Sequence, residues 1–470
     1  MTRKLLLFLA SLLASVALQG ALAQTAAPTV QQKRLKDIHR ELVEINTTNS
    51  VGSCTEAAEA MRRRLRQAGL PEDDMQVIVP PGAAQKGNLV ARYRGSGGKK
   101  PILLLAHTDV VEAKASDWQR DPFKVVEENG YVYGRGVFDD KAMAAIFVAN
   151  LIGYREEGYR PQRDLILALT CDEELVSLYN GVEHLIKHHR GLIDAELVLN
   201  EGAYGMLDKE GRYVRMSYQA GEKVVLQYQL ETTNPGGHSS RPTRDNAIYR
   251  MAEALARLGK HQFPVHLSEV TRGYFERMSR IESGQTAADM QALLRDPPDA
   301  AAVERLSMDP HYNATLRTTC VATMIQGGHA FNALPQRVEA QVNCRVLPND
   351  SLADVERELI AAIADDQVKV TAVFQPTVSP MPPVNPELVA AIEAVSGEIW
   401  PGVPVVPTLS TGATDGRFLN NVGIWTYGVS GLFSNAESSG VHGLNERLPV
   451  RSLYEGQEFL YRLVKRLGGG

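Results

Sequence analysis

Five places in the chain put His, Asp or Glu directly after a short apolar run: His107-Thr-Asp109, Asp139-Asp140, Glu173-Glu174, Glu201 and His442. A residue at the carboxyl end of a buried strand points into the crevice where open α/β sheets bind ligands. The set therefore reads as one carboxylate-rich metal site with two histidines, suited to metal-assisted hydrolysis. Residues two apart on a strand share a face, so His107 can bind a metal while Asp109 accepts its other ring N–H. In Gly134-Arg-Gly136-Val-Phe-Asp139-Asp140-Lys141 the glycines let the backbone turn tightly and present a carboxylate just before a helix. The plainer reading of Asp139-Asp140 is helix N-capping, which one of the two can also perform. Asp172-Glu173-Glu174 stacks three carboxylates at a strand end, where repulsion is destabilising unless cations or shared protons relieve it. One division of labour gives Glu174 to the metal and leaves Glu173 as general base; a solvated acidic loop is the alternative.

Strands and helices must bring these groups together. Lys33 to Asn46 and Thr55 to Ala68 read as amphipathic helices, the second closed by Gly69. Apolar strands over 76–79, 88–93 and 101–105 lead to His107. A helix from about Lys141 to Arg155, a strand to Cys171, a helix from Gly181 to His189 and a strand ending at Asn200 follow. This alternation indicates a largely parallel sheet covered on both faces. From Gly221 the pattern changes to strand, helix (246–258), two strands (318–325, 337–346), helix (352–364) and strand (368–374), the order of a ferredoxin-like α+β unit. A charged helical excursion over about 268–312 interrupts it and reads as a lid or a packing insert. The α/β signature resumes after Pro380 with a helix (387–399), the Thr408-to-Asp415 glycine-rich loop, a strand (422–429) and a final helix (452–467). The expected organisation is thus an α/β catalytic domain in two parts, 24–218 and 381–470, with an inserted lid or dimerisation domain over 219–380. His442 must return to meet His107.

The chain has 470 residues, enough for two to four domains, and its net charge of −5 with interspersed signs gives no sign of a nucleic-acid partner. Arg3-Lys4, the apolar run Leu5 to Leu18 and Ala21-Leu22-Ala23 form a secretory signal with an A-x-A cleavage site, so export to the periplasm or medium is expected, cut after Ala23. The alternative, an uncleaved anchor, has a run short for a bilayer span; no stable membrane span is expected after cleavage. Of the four cysteines, Cys171 reads as a buried inert thiol, while Cys320 and Cys344 lie at comparable distances from the expected hairpin tip and could pair.

Nine segments then carry a resemblance, in order, through nearly the whole mature chain. They are His107-Thr-Asp109-Val, Tyr133-Gly-Arg-Gly136 with Asp139-Asp140-Lys141, Asp172-Glu173-Glu174, Asn200-Glu201-Gly202, Gly237-His238-Ser-Ser-Arg-Pro242, Asn332-Ala-Leu-Pro335, Arg345-Val-Leu-Pro348, Thr411-Gly412-Ala-Thr-Asp415 and His442-Gly-Leu-Asn-Glu446. Together they resemble the dinuclear zinc peptidase family of carboxypeptidase G, acetylornithine deacetylase, succinyl-diaminopimelate desuccinylase and aminoacylase. That resemblance implies the phosphorylase/hydrolase-like catalytic fold of the family. It also implies two zinc ions bridged by Asp139, with His107 and Glu201 on one and Glu174 and His442 on the other. Co2+ or Mn2+ are possible substitutes. It implies a cis bond between Asp139 and Asp140, Asp109 orienting His107, and Glu173 as general base toward a metal-bridged water. His238 would help stabilise the oxyanion, in many members from the neighbouring subunit of a homodimer. Asn332 and Gly412 would lie near substrate, and Arg345 would grip its carboxylate. Taken alone, His238 or Asn332 would read as a turn residue and Arg345 as an ion-pair partner.

Two details qualify the match. Ala142 stands where glycine is frequent, which touches helix packing more than chemistry. Glu201 is Glu where several dipeptidase and tripeptidase branches have Asp. The expected substrate is a small peptide or N-acyl amino acid, hydrolysed next to a free carboxylate. The competing expectations are a dipeptidase or aminopeptidase of the same family and, from another class, a non-catalytic ligand-binding relative. The latter predicts a missing base or ligand, and none is missing.

Overall fold

The computed structural model describes residues 27–175, 178–435 and 439–470. The signal segment expected over 1–23 lies outside them. Among the described residues no helix is long and apolar enough to cross a membrane.

Apolar runs without polar interruption build the centre. Strands Ile102–His107 and Leu165–Thr170 are buried along their whole length and pair in parallel, with His107 opposite Thr170. Ile102–His107 also pairs in parallel with Leu197–Asn200, which in turn pairs in parallel with Trp425–Gly428, Gly428 lying opposite Asn200. The ends of these four strands therefore form one edge, which fixes where His107, Asp172, Glu201 and Ser430 emerge. Antiparallel Met75–Ile78 and Asn88–Tyr93 extend the sheet on one side and Tyr213–Glu222 on the other, ten strands in all among the described residues.

The two-residue period of each strand sends alternate side chains to opposite layers. Ile102, Leu104, Leu165, Leu167 and Leu169 join the core under helices Val30–Glu44, Cys54–Gln67, Lys141–Glu156 and Val450–Gly468. Leu103, Leu105, Ile166 and Ala168 face Val182 and Leu185 of helix Gly181–Ile193 and Leu419 of helix Gly416–Asn421. Helix Lys141–Glu156 is buried from Lys141 to Tyr154, as its nearly unbroken apolar sequence requires. Asp140 occupies the N-cap position without a side-chain capping bond, so capping is not its role.

The ferredoxin-like order is present. A four-stranded antiparallel sheet runs Thr319–Gly327, Arg337–Val346, Val224–Thr233, Lys369–Ala372 and packs one face on helices Ala247–Leu258 and Leu352–Ile363. Its other face carries a polar ladder, with Gln227 bonded to Gln341 and Gln229 to Glu339. The excursion forms four helices, Glu269–Met278, Gly284–Leu293, Ala300–Leu306 and Pro310–Leu316. Their apolar cluster closes on Val406 of strand Val405–Ser410, so the excursion packs against the main sheet.

Cys320 and Cys344 face one another across adjacent strands and are disulfide-bonded. The expectation of an inert thiol at Cys171 is overturned, because Cys171 bonds to Cys54. Cys54 opens a helix that packs beside strand Asn88–Tyr93, the neighbour of Leu165–Thr170, and this brings together sulfurs 117 positions apart. Spacing along the chain carries no sign of such a pairing.

Candidate metal centre

Three of the acidic or imidazole segments sit where a strand has just ended. His107 closes Ile102–His107, Asp172 to Glu174 follow Leu165–Thr170, and Glu201 follows Leu197–Asn200. Asp139 is delivered by the turn before helix Lys141–Glu156, through a cis bond to Asp140. Two non-glycine residues hold left-handed backbone to aim their neighbours, Asp172 with φ 66° and His442 with φ 57°. Such positions are uncommon outside glycine and persist where surrounding contacts enforce them.

The two oxygens of Asp139 face different histidines. His107 Nε2 is 3.1 Å from Asp139 Oδ1 and 3.9 Å from Glu201 Oε1. His442 Nε2 is 3.1 Å from Asp139 Oδ2 and 2.9 Å from Glu174 Oε2. In each trio, His107–Asp139–Glu201 and Asp139–Glu174–His442, ligand atoms lie within 4.8 Å of one another. Donors held about 2.1 Å from a tetrahedral zinc are roughly 3.4 Å apart, a value these separations bracket.

The electrostatics show a site short of positive charge. Burial alone would lower His107, but the neighbouring Asp109 and Asp139 carboxylates and the charge of Glu201 outweigh it and hold the imidazole well above its ordinary range. Hydrogen bonds to Asp139 and Glu174 push His442 up to about 10. Burial raises Glu201, and the charge of Glu173 adds to it; burial also raises Glu173, which Asp415, Asp109 and Glu174 push further despite the opposing pull of His107. Asp139 is held low, its burial outweighed by the two histidines. Asp140 Oδ2 and Asp415 Oδ2 are buried without a hydrogen-bond partner among the described residues. Carboxylates crowded this closely fit divalent cations, which neutralise them.

Outer contacts fix the geometry. His107 Nδ1 lies 3.1 Å from the backbone oxygen of Asp109 and 3.6 Å from its Oδ1, so the nearest acceptor is the carbonyl. The Asp109 carboxylate instead accepts the backbone N–H groups of Glu173 at 3.3 Å and Glu174 at 3.1 Å. It thereby ties the 107–109 turn to the acidic loop.

Several positioning residues escaped the reading of the sequence. Glu446 is buried and accepts backbone N–H groups from Gly136, Phe138 and Asp139 while pairing with Arg135 at 2.9 Å. Asn180 donates to Asp415 Oδ1 at 2.7 Å and to the Asp172 carbonyl. Glu222 holds Thr414 and Ser379. Glu446 and Asp415 each close a quoted motif, which was the only available signal; Asn180 and Glu222 had none.

None of the residues expected to bind substrate belongs to either trio. His238 is exposed and its Nδ1 bonds to Ser240. It pairs through the short ladder Gly237–His238/Ala333–Leu334, and the Asn332 carbonyl accepts the Ser239 N–H, so these two expected residues are neighbours. Arg345 is half-buried and lies opposite Val225 in the sheet register. Burial and the charge of Arg417 lower its pKa. Val225, Lys223, Ala413 and Arg417 line a cavity of about 270 Å3 beside Asn180. Gly412 lies in the adjoining loop, its N–H donated to Ser410 Oγ.

The model of peptidase family M20/M25/M40 matches residues 103–466. Among curated proteins, the mouse N-fatty-acyl-amino acid synthase/hydrolase is 28% identical over 386 residues, covering 78% of this chain and 74% of that protein. A probable carboxypeptidase S-like protein of Dictyostelium discoideum is 29% identical over 394 residues, covering 80% and 74%. Among solved structures, an M20 family metallo-carboxypeptidase of Sulfolobus solfataricus superposes with a TM-score of 0.68 at 19% identity, covering 92% of this chain and 98% of that one. A dinuclear metal-binding peptidase of Bacillus subtilis gives 0.59 at 12% identity, covering 93% and 98%.

Proposed function

The chain belongs to peptidase family M20/M25/M40 and is a hydrolase of that family, and from that premise we propose that it is an exported, zinc-dependent carboxypeptidase or N-acyl-amino-acid hydrolase, cleaving the amide bond before a free amino-acid carboxylate. The observation that carries the proposal is the division of the Asp139 carboxylate between two histidines, each trio completed by one glutamate. His107, Asp139 and Glu201 would hold one ion and Asp139, Glu174 and His442 the other. Co2+ or Mn2+ would suit the same donors. When bound, zinc supplies Lewis acidity and brings the pKa of water toward neutrality.

The chain's own groups supply the remainder. Glu173, raised by burial and by neighbouring carboxylates, takes a proton from the attacking water and delivers it to the leaving amine nitrogen. Asp109 holds the backbone of Glu173 and Glu174 in place. Arg345, with Arg417 nearby, offers a guanidinium for the substrate carboxylate. The relatives named as carboxypeptidase and as N-fatty-acyl-amino acid hydrolase support the same substrate class. Disulfides at Cys54–Cys171 and Cys320–Cys344 support an oxidising compartment, in keeping with the signal read over 1–23. Strand Thr319–Gly327 is a sheet edge with Val321, Met324 and Ile325 exposed, which supports a homodimer in which His238 reaches a neighbouring cleft.

The test is amino-acid release by the zinc-supplemented mature protein from a mixed panel of N-acyl amino acids, dipeptides and tripeptides, with and without chelator. Chelator-sensitive cleavage of N-blocked substrates is expected. Cleavage confined to substrates with a free amine would replace this reading with a dipeptidase or aminopeptidase.

A further inference from the structure

The Asp139–Glu201 side of the metal centre opens into a second cavity of about 130 Å3, whose walls expose far more carbon than polar surface. Its apolar lining is Phe138, Met143, Ala203, Tyr204, Leu432 and Val441; Asp139, Asp140, Glu201 and Ser430 supply its polar lining. Phe138 and Tyr204 meet edge to face with ring centroids 5.6 Å apart, forming an aromatic corner. Met143 and Leu432 belong to the close-packed core beneath, so the floor is rigid. Ala203 is fixed from behind, its carbonyl accepting the Ser430 hydroxyl at 2.8 Å.

A cavity this size, lined by carbon and touching two groups of the metal centre, has no structural need of its own. An apolar cavity of about 150 Å3 admits a benzene ring, so this one suits a single ring or a short branched chain rather than an extended hydrocarbon. The other cavity has the Arg417 guanidinium in its lining together with Lys223 and Glu183, and Arg345 lies opposite its lining residue Val225. A substrate with its carboxylate toward Arg345 and Arg417 and its scissile amide at the trios leaves its acyl side for the apolar cavity.

We propose that the cavity bounded by Phe138, Met143, Ala203, Tyr204, Leu432 and Val441 is the acyl-side specificity pocket, selecting a compact apolar group such as phenylacetyl or isovaleryl. This rests on the hydrolase reading above and names its substrate class more finely. Filling a preformed apolar pocket gains roughly tenfold or more per well-seated group.

The experiment uses zinc-loaded protein and uncleavable sulfonamide analogues, N-methylsulfonyl, N-benzylsulfonyl and N-dodecylsulfonyl leucine, with affinities measured by calorimetry. The benzyl analogue should bind at least tenfold tighter than the methyl one, and the dodecyl analogue should gain nothing beyond the benzyl. Ala203→Phe, which fills the pocket, should remove most of the benzyl advantage. Tyr204→Ala, at a partly exposed position that folding tolerates more easily, should reduce it several-fold. Equal affinities across the wild-type series, or steady gains up to dodecyl, would overturn the proposal without recourse to any variant. Hydrolysis of the matching N-acyl leucines is measured separately. A benzyl preference without hydrolysis would leave the pocket standing and remove the hydrolase reading; hydrolysis without the preference would do the reverse.

Discussion

Replacing Glu446 by glutamine should loosen the metal centre although Glu446 touches none of the proposed ligands through its side chain except the backbone of Asp139. Its Oε1 accepts the N–H groups of Phe138 at 2.9 Å and Asp139 at 3.1 Å; its Oε2 accepts Gly136 N–H at 2.8 Å and Arg135 Nη1 at 2.9 Å. Glutamine keeps the shape but offers one acceptor oxygen, so its amide NH2 must face two donors, whichever way it is turned. Arg135, itself buried, then lacks its carboxylate partner. Removing one member of a buried ion pair costs about 3–5 kcal/mol. The loss falls on the turn that aims Asp139, and displaced outer-contact residues typically weaken metal binding by about 10–100-fold. Urea unfolding of wild type and Glu446→Gln, and zinc competition against a chromophoric chelator, measure the two effects. A midpoint shift worth less than about 0.5 kcal/mol, the level of ordinary surface changes, would refute the energetic argument. A large stability loss with unchanged zinc affinity would refute the claim that Glu446 positions Asp139.

Three further outcomes are expected. Burial lowers the His39 pKa to about 4 against an unfolded value of 6.5, so the unfolded chain binds more protons between those pH values. Stability should therefore fall as pH drops from 6.5 to 4, by about 3 kcal/mol from this group, and a pH series on His39→Gln should lack that portion. The double variant Cys54→Ser/Cys171→Ser frees a segment spanning 117 positions and should lose about 2–4 kcal/mol, read as an unfolding midpoint lowered relative to wild type without reductant, with Cys320–Cys344 intact in both. Glu173→Gln should lower kcat by about 10^2–10^4 with zinc content unchanged by elemental analysis; parallel loss of metal would move Glu173 from proton transfer to structure.

The parts of the fold legible in the sequence were those with a strong period. The buried runs before His107, Asp172 and Glu201 announced a parallel sheet and placed its functional edge, and the strand-helix-strand-strand-helix-strand order appears in the four-stranded sheet. Strand Tyr213–Glu222 escaped notice because it is buried only over its later residues, with polar Ser217, Gln219 and Glu222 among them. Strand Val405–Ser410 was hidden by Pro407 and by the turn signals that follow it. Cys54–Cys171 and the supports at Asn180 and Glu222 depend on contacts between distant segments, for which local spacing has no counterpart. The convergence of His107, Glu174 and Glu201, by contrast, follows from strand ends sharing one edge, whereas Asp139 and His442 reach them from a turn and a loop.

The contact between Arg135 and Glu446 joins positions 311 apart. Along a growing polypeptide, His107 and Asp139 emerge first, yet the turn carrying Asp139 has its anchor only once Glu446 has been added. An interrupted chain ending before Glu446 would hold several acidic and imidazole groups in a loose arrangement with weak, unselective affinity for ions. A fragment released early by proteolysis or premature termination, lacking the Arg135–Glu446 contact, should therefore hold divalent metal more weakly than the full chain.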